Sequence, residues 1–230
     1  MLKVPATKEG FKAVEELIAS GMNINATLIF SLEQYAATAG SYVKGLKRLI
    51  ESGGDPSKVR SVASVFISRI DTAADKMLEE NNGPAGLKGR AAVANTQMIY
   101  KRYREIFSSM EFKELEKSGA HPQRALWAST STKNPAYSDT KYVTELIAKD
   151  TVNTVPPDTF KAFLDHGVAK EALAEDAKEA QNILSQLKGL GIDVDAICEK
   201  LLSDGVAAFE KSFDSLLGSI KEKSKELSAT

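Results

Sequence analysis

Apolar and polar positions along this chain follow two periods in turn. Short apolar or alternating runs separate longer stretches in which apolar residues return every three or four positions, the signs of strand and helix. The first run is Met1-Leu2-Lys3-Val4-Pro5-Ala6-Thr7, a strand followed by the amphipathic helix Phe11 to Ala19 and a stop at Gly21. Asn23 to Phe30 is the second strand, with Asn23, Asn25 and Thr27 on one face and Ile24, Ala26 and Leu28 on the other. Ser31 caps the helix Leu32 to Ser52, and Gly53-Gly54-Asp55-Pro56 turns the chain. Val59 to Ile67 is the third strand, carrying Ser61 and Ser64 and leading into Ser68-Arg69. A helix runs from Asp71 towards Glu80, Asn81-Asn82-Gly83-Pro84 breaks it, and another covers Arg90 to Ser109 with Val93, Met98 and Ile99 on its apolar face.

Arg124 to Ser129 is the fourth strand, and its exit loop is Thr130-Ser131-Thr132-Lys133-Asn134-Pro135. Lys141 to Ala148 is a short helix, and Thr151 to Val155 a brief fifth strand stopped by Pro156-Pro157. Asp158 is expected to cap the next helix, which ends at His166-Gly167. From Glu175 only helix follows: Glu175 to Lys188, Val194 to Ser203 capped by Asp193, and Val206 to Leu227 after Gly205. In the last of these Ala208, Phe209, Phe213, Leu216 and Leu217 form a stripe that reads as core packing.

Strands alternating with helices indicate a parallel sheet with right-handed crossovers, and a polar row on one strand face suggests a barrel interior. The expected class is α/β, a barrel of the (β/α)8 type, in one domain over residues 1–230 with a helical extension over 175–230. In such a barrel the carboxyl ends of the strands build the site, and Lys3, Asn25, Thr27, Ser64, Arg69, Ser131 and Lys133 all fall there. Lys3 alone has two readings, snorkelling to water along apolar surface or doing chemistry. Its coincidence with the other six favours chemistry.

Composition narrows the partners. Lysine plus arginine (30) nearly balance aspartate plus glutamate (31), which removes any field-driven case for nucleic acid or an anionic membrane, so a small molecule is the expected partner. One cysteine excludes an internal disulfide, and with two histidines it leaves little for a zinc site. No apolar run approaches the roughly 18 residues needed to span a bilayer. Cytoplasm is the default compartment. Small hydroxyls, exposed amides and a lysine in the loop 130–135 suit an oxyanion.

These residues resemble the transaldolase family. Its Schiff-base lysine lies in a motif matched by Lys3-Val4-Pro5-Ala6-Thr7, and the next strand's pattern is matched by Asn25-Ala26-Thr27-Leu28-Ile29-Phe30-Ser31. A serine followed five residues later by arginine appears as Ser64 and Arg69. The runs Leu126 to Asp139 and Thr151 to Pro157 are similar to the longer bacterial and plastid type, which makes a plastid the alternative compartment. The resemblance implies that Lys3 attacks the ketone of a sugar phosphate as a neutral amine, a state favoured by apolar walls and cationic neighbours. The iminium is the electron sink, so no metal or organic cofactor is implied. Cleavage between C3 and C4 then leaves a dihydroxyacetone unit for an aldose acceptor. Asn25 and Thr27 would hold hydroxyls and a catalytic water, with Ser64 in a similar role. Arg69, Ser131 and Lys133 would grip the phosphate, although many family members carry arginine where Lys133 stands. The competing reading of Arg69 is an ion pair with Asp71 or another surface carboxylate.

Carbinolamine dehydration and carbon–carbon cleavage also need a proton carrier, and no Asp or Glu lies in the expected strands. The resemblance implies that an aspartate and a glutamate serve, on strands upstream of the lysine strand. The expectation is therefore a carboxyl-terminal part, five strands of eight, with two open edges and the row Asn23, Asn25 and Thr27 exposed to water. Such a sheet would accept a complementing amino-terminal segment or a second copy in a homodimer. Three functions compete: transfer of dihydroxyacetone from sedoheptulose 7-phosphate to glyceraldehyde 3-phosphate; a related lysine-dependent sugar-phosphate aldolase; and a non-catalytic remnant that binds sugar phosphate.

Overall fold

The computed structural model describes residues 1–173 and 176–228. Five parallel strands form one sheet in chain order: β1 (Leu2–Pro5), β2 (Ile24–Ile29), β3 (Ser61–Phe66), β4 (Arg124–Ala128) and β5 (Val152–Asn153). Helices join and cover them: α1 (Lys8–Ala19), α2 (Leu32–Glu51), α3 (Ser68–Glu80), α4 (Ala91–Phe107), α5 (Met110–Lys117), α6 (Lys141–Thr144), α7 (Pro157–His166), α8 (Lys178–Gly189) and α9 (Val194–Ser228). Among the described residues no helix is long and apolar enough to cross a membrane.

The register divides the sheet into two faces. Val4, Ala26, Ala63 and Ala125 are paired partners on the face packed against helices, and three alanines side by side let those helices approach closely. Trp127 lies fully buried on the same face and donates its indole N–H to the Leu146 carbonyl at 3.0 Å. The opposite face carries Lys3, Asn25, Val62 and Arg124 in one row and Ser64, Leu126 and Val152 in the next. Val62, Leu126 and Ala128 form a small apolar cluster there with Phe66 and Val152.

Several helix boundaries depart from the pattern reading. Thr7 starts α1 three residues early, its hydroxyl accepting from the Gly10 N–H at 3.0 Å, and α3 begins at Ser68, not at Asp71. The expected helix to Ser109 ends at Phe107, because Ser109 caps the separate helix α5. In α7 Pro156 occupies the cap position and Asp158 lies in the first turn, so the expected Asp158 cap does not form. The expected start of α8 at Glu175 lies outside the described residues. Asp193 does cap α9, accepting from the Asp195 N–H at 3.0 Å. That helix runs unbroken through Gly205, where a β-carbon would stand 3.0 Å from the Leu28 side chain; glycine lets the helix cross the end of β2.

The stripe on α9 does not pack as expected. Phe209, Phe213, Leu216, Leu217 and Ile220 are about half exposed or more, and the helix beyond Val206 lies open to solvent.

Candidate active site

Strand pairing brings Lys3 and Asn25 opposite one another, and Asn25 Oδ1 accepts from the Ser64 hydroxyl at 2.7 Å. Three neighbouring strands thus present an amine, an amide and a hydroxyl on one face. Ser64 is buried, Asn25 is half-buried and Thr27 is buried, so of the row expected to face water only Asn23 is exposed. Asn23 lies outside the site and accepts from the Arg60 N–H at 2.6 Å. Lys3 itself is exposed, which corrects the expectation of apolar walls around it: among the described residues β1 has a strand partner on one side alone.

The backbone after Thr27 leaves the regular strand. Leu28 adopts φ 57°, a conformation costly for a branched side chain, and the pairing with β3 shifts register between Ala26 and Ile29. The kink breaks the expected alternation, so Leu28, Ile29 and Phe30 are all buried. Ser129 makes the same excursion after β4, at φ 56°. Gln34 closes the β2 exit, its Oε1 accepting from the Phe30 and Ser31 N–H groups at 2.8 and 3.1 Å.

The cationic residues form a second tier. Lys3 and Asn25 share a row with Arg124, the first residue of β4, so they stand within the sheet and not at the strand exits. Arg69 lies in the first turn of α3, beyond the exit of β3, and Ser131 and Lys133 follow β4. The exits are held together by backbone bonds from Ile67 and Ser68 N–H to the Ala128 and Ser129 carbonyls, at 3.0 and 3.1 Å. The hydroxyls of Ser68 and Ser129 meet at 3.2 Å. Lys133 donates to the Ser131 hydroxyl at 2.8 Å and is exposed. Arg69 is exposed with its guanidinium 5.8 Å from the Phe66 ring centre. Asp71 is not its partner: Asp71 is buried and accepts from the Ala92 N–H at 2.7 Å and from the Tyr142 hydroxyl at 2.8 Å. Among the described residues Arg69 forms no ion pair, which leaves it available to an anion.

Electrostatics around this tier follow burial. Desolvation raises the Asp71 carboxyl to about 6 against the opposing pull of its two donors. Burial first, and the neighbouring carboxylates after it, raise the Tyr137 and Tyr142 hydroxyls, which stay protonated donors. His166 faces Asp139 at Nε2 and Asp165 at Nδ1, at 2.9 and 3.1 Å. Both partners are acceptors, so the imidazolium is favoured and the histidine is raised above its ordinary value. The pattern along the chain gives no role to Asp75, Tyr137 or Tyr142, whose contacts span 62 to 71 residues of chain. No local pattern marks pairs so distant. Among the described residues no cluster of His, Cys, Asp or Glu could hold a metal ion.

The α/β sheet thus sets an amine beside hydroxyl and amide groups, with cations beyond the strand exits. Residues 1–220 match the family model described as Transaldolase/Fructose-6-phosphate aldolase. The chain is 44% identical to a Transaldolase of Saccharopolyspora erythraea, over 97% of this chain and 61% of that protein. It is 43% identical to Transaldolase 2 of Nostoc punctiforme, over 99% and 63% respectively. With a Transaldolase of Neisseria meningitidis it shares 44% identity over 94% of this chain and 60% of the relative. The chain belongs to the transaldolase/fructose-6-phosphate aldolase family. It spans about three fifths of the length of these relatives.

Proposed function

We propose that this chain is the lysine-bearing part of a transaldolase of the pentose phosphate pathway, acting in the cytoplasm on sugar phosphates. It would move a dihydroxyacetone unit from sedoheptulose 7-phosphate to glyceraldehyde 3-phosphate, giving erythrose 4-phosphate and fructose 6-phosphate. The observation that carries the reading is the row of Lys3 and Asn25 bonded to Ser64, with Arg69, Ser131 and Lys133 beyond the strand exits. The Lys3 Nζ lone pair attacks the C2 carbonyl, and loss of water gives the iminium. The C3–C4 electron pair then flows into the iminium, forming an enamine on Lys3, while the C4 hydroxyl loses its proton and leaves as an aldehyde. Asn25 and Ser64 hold the hydroxyls of the bound carbons, Thr27 supports a water, and Arg69 with Ser131 and Lys133 grips the phosphate.

The C4 proton needs an acceptor. Among the described residues no Asp or Glu stands in a strand of the sheet, so in this reading the carboxylate comes from outside it, from a complementing segment or a second copy. The same observation favours one other reading, in which the chain alone binds sugar phosphate without turnover.

Borohydride reduction in the presence of fructose 6-phosphate tests the first reading. A sugar-derived adduct is expected on the peptide containing Lys3, absent in Lys3→Ala; an adduct on a different lysine would overturn the assignment. Product formation with and without glyceraldehyde 3-phosphate separates transfer from simple aldol cleavage. Phosphate-dependent binding with neither product supports the non-catalytic reading.

A further inference from the structure

Outside the residues assigned above, a ring of contacts encloses Tyr137. Its hydroxyl donates to Asp75 Oδ2 at 2.7 Å, and Asp75 Oδ1 accepts from the Gly89 N–H at 2.8 Å. Gly89 adopts φ 69°, and a β-carbon there would stand 2.8 Å from Tyr137 Cζ, so the ring rests directly on the glycine backbone. The Lys141 ammonium lies 5.6 Å from the centre of the same ring. Asp75 is 7% exposed, and its two oxygens serve one backbone donor and one phenol. Asp75, Tyr137, Lys133 and Asn134 line a cavity of about 230 Å³.

The two ends of this contact are what give it meaning. Asp75 lies on α3, the helix whose first turn carries Arg69. Tyr137 lies in the loop that carries Ser131 and Lys133, and its N–H donates to the Asn134 carbonyl at 3.1 Å. Thr132 braces the same loop by donating to the Ser138 carbonyl at 2.8 Å. The helix also meets the two ends of this segment: at the exits of β3 and β4, where the bonds involve Ser68 and Ser129, and past the loop's end, where Asp71 accepts from the Tyr142 hydroxyl. The Asp75–Tyr137 bond fastens the loop between those two ends, where it would otherwise be free to move away from the helix.

We propose that Asp75 and Tyr137 are positioning residues for the anion grip, a strut that sets the spacing between Arg69 on the helix and Ser131 and Lys133 on the loop. The proposal rests on the reading of those three residues as a phosphate site. A grip built from two elements holds a tetrahedral oxyanion only when the elements keep one separation, and a short hydrogen bond from one to the other is a stiff way to keep it.

The test is titration of this chain with inorganic phosphate, followed by NMR of backbone amides, in the unsubstituted protein, Arg69→Ala, Tyr137→Phe, Asp75→Asn and the double variant Arg69→Ala/Tyr137→Phe. Tyr137→Phe removes one oxygen and keeps the ring on Gly89, and amide spectra report whether each variant is folded. Expected results are an affinity about fivefold weaker in Tyr137→Phe, the same loss in Asp75→Asn, and no further loss when Tyr137→Phe is added to Arg69→Ala. A purely structural role would lower stability and leave this cycle additive. Affinity untouched by Tyr137→Phe, or losses that add in the double variant, overturns the strut while sparing the site. Absence of saturable phosphate binding, or binding indifferent to Arg69→Ala, overturns the site reading and the strut with it.

Discussion

Asp71 shows how one residue ties stability to pH. Its carboxyl is buried, and desolvation raises it from 3.8 to about 6 in the folded chain. A carboxyl so raised favours the protonated form, so its contribution to stability is fullest below 3.8 and is lost as pH rises through 6. The full span corresponds to about 3 kcal/mol, of which about 1 kcal/mol falls between pH 5 and 7.5. Urea denaturation at those two pH values should show that loss in the unsubstituted chain and a flatter profile in Asp71→Asn. Equal slopes in both proteins would remove Asp71 from the account. His166 has the opposite chemistry but the same sign, since its two carboxylate neighbours raise it and its tie to Asp139 weakens as pH rises. Cys198 is buried, and desolvation raises its thiol to about 12, so alkylation at neutral pH should proceed only as the chain unfolds.

Among the elements, α2 owes its start to Ser31 and Gln34, a reciprocal pair in which the Ser31 hydroxyl accepts from the Gln34 N–H at 3.1 Å. Ser31→Ala should lower the unfolding free energy by about 1 kcal/mol in urea titrations, with no change in the phosphate titration described above. A serine before an apolar helical run is a local signal, and the sequence carried it openly. The same holds for the strands, whose apolar runs are bounded by glycine and proline, and for the motifs around Lys3 and Asn25. Other features had no such signal. The break between α4 and α5 falls at Ser108-Ser109, without glycine or proline to mark it. The kink at Leu28 puts an ordinary strand former in a conformation its type disfavours, and only neighbours in space can impose that. Lys3 stands out of the expected apolar setting because exposure depends on which strands flank β1, and the residues around Lys3 say nothing of that. Pairs such as Asp75 with Tyr137 stayed hidden for a related reason: each residue is unremarkable until folding joins them.

At the scale of the whole molecule, the helix-covered face of the sheet anchors the main core, which takes in α8 and the first turns of α9. Beyond Val206 the last helix contributes almost nothing to that core, and its side chains up to Lys225 are exposed. Removing residues 207–230 should therefore change the unfolding free energy by less than about 0.5 kcal/mol while lowering the helical circular dichroism signal. A loss of several kcal/mol would mean that the stripe of Phe213 and Leu217 packs against the body in solution. The same free half of α9 bears on how the molecule moves through solvent. At 1.5 Å per residue its exposed turns extend about 30 Å, longer than the radius of the body that carries them. A compact chain of this length has a radius of gyration of about 17 Å. This one should scatter X-rays and drag through water as a sphere with a rod attached, diffusing more slowly and tumbling more anisotropically than its mass alone would suggest.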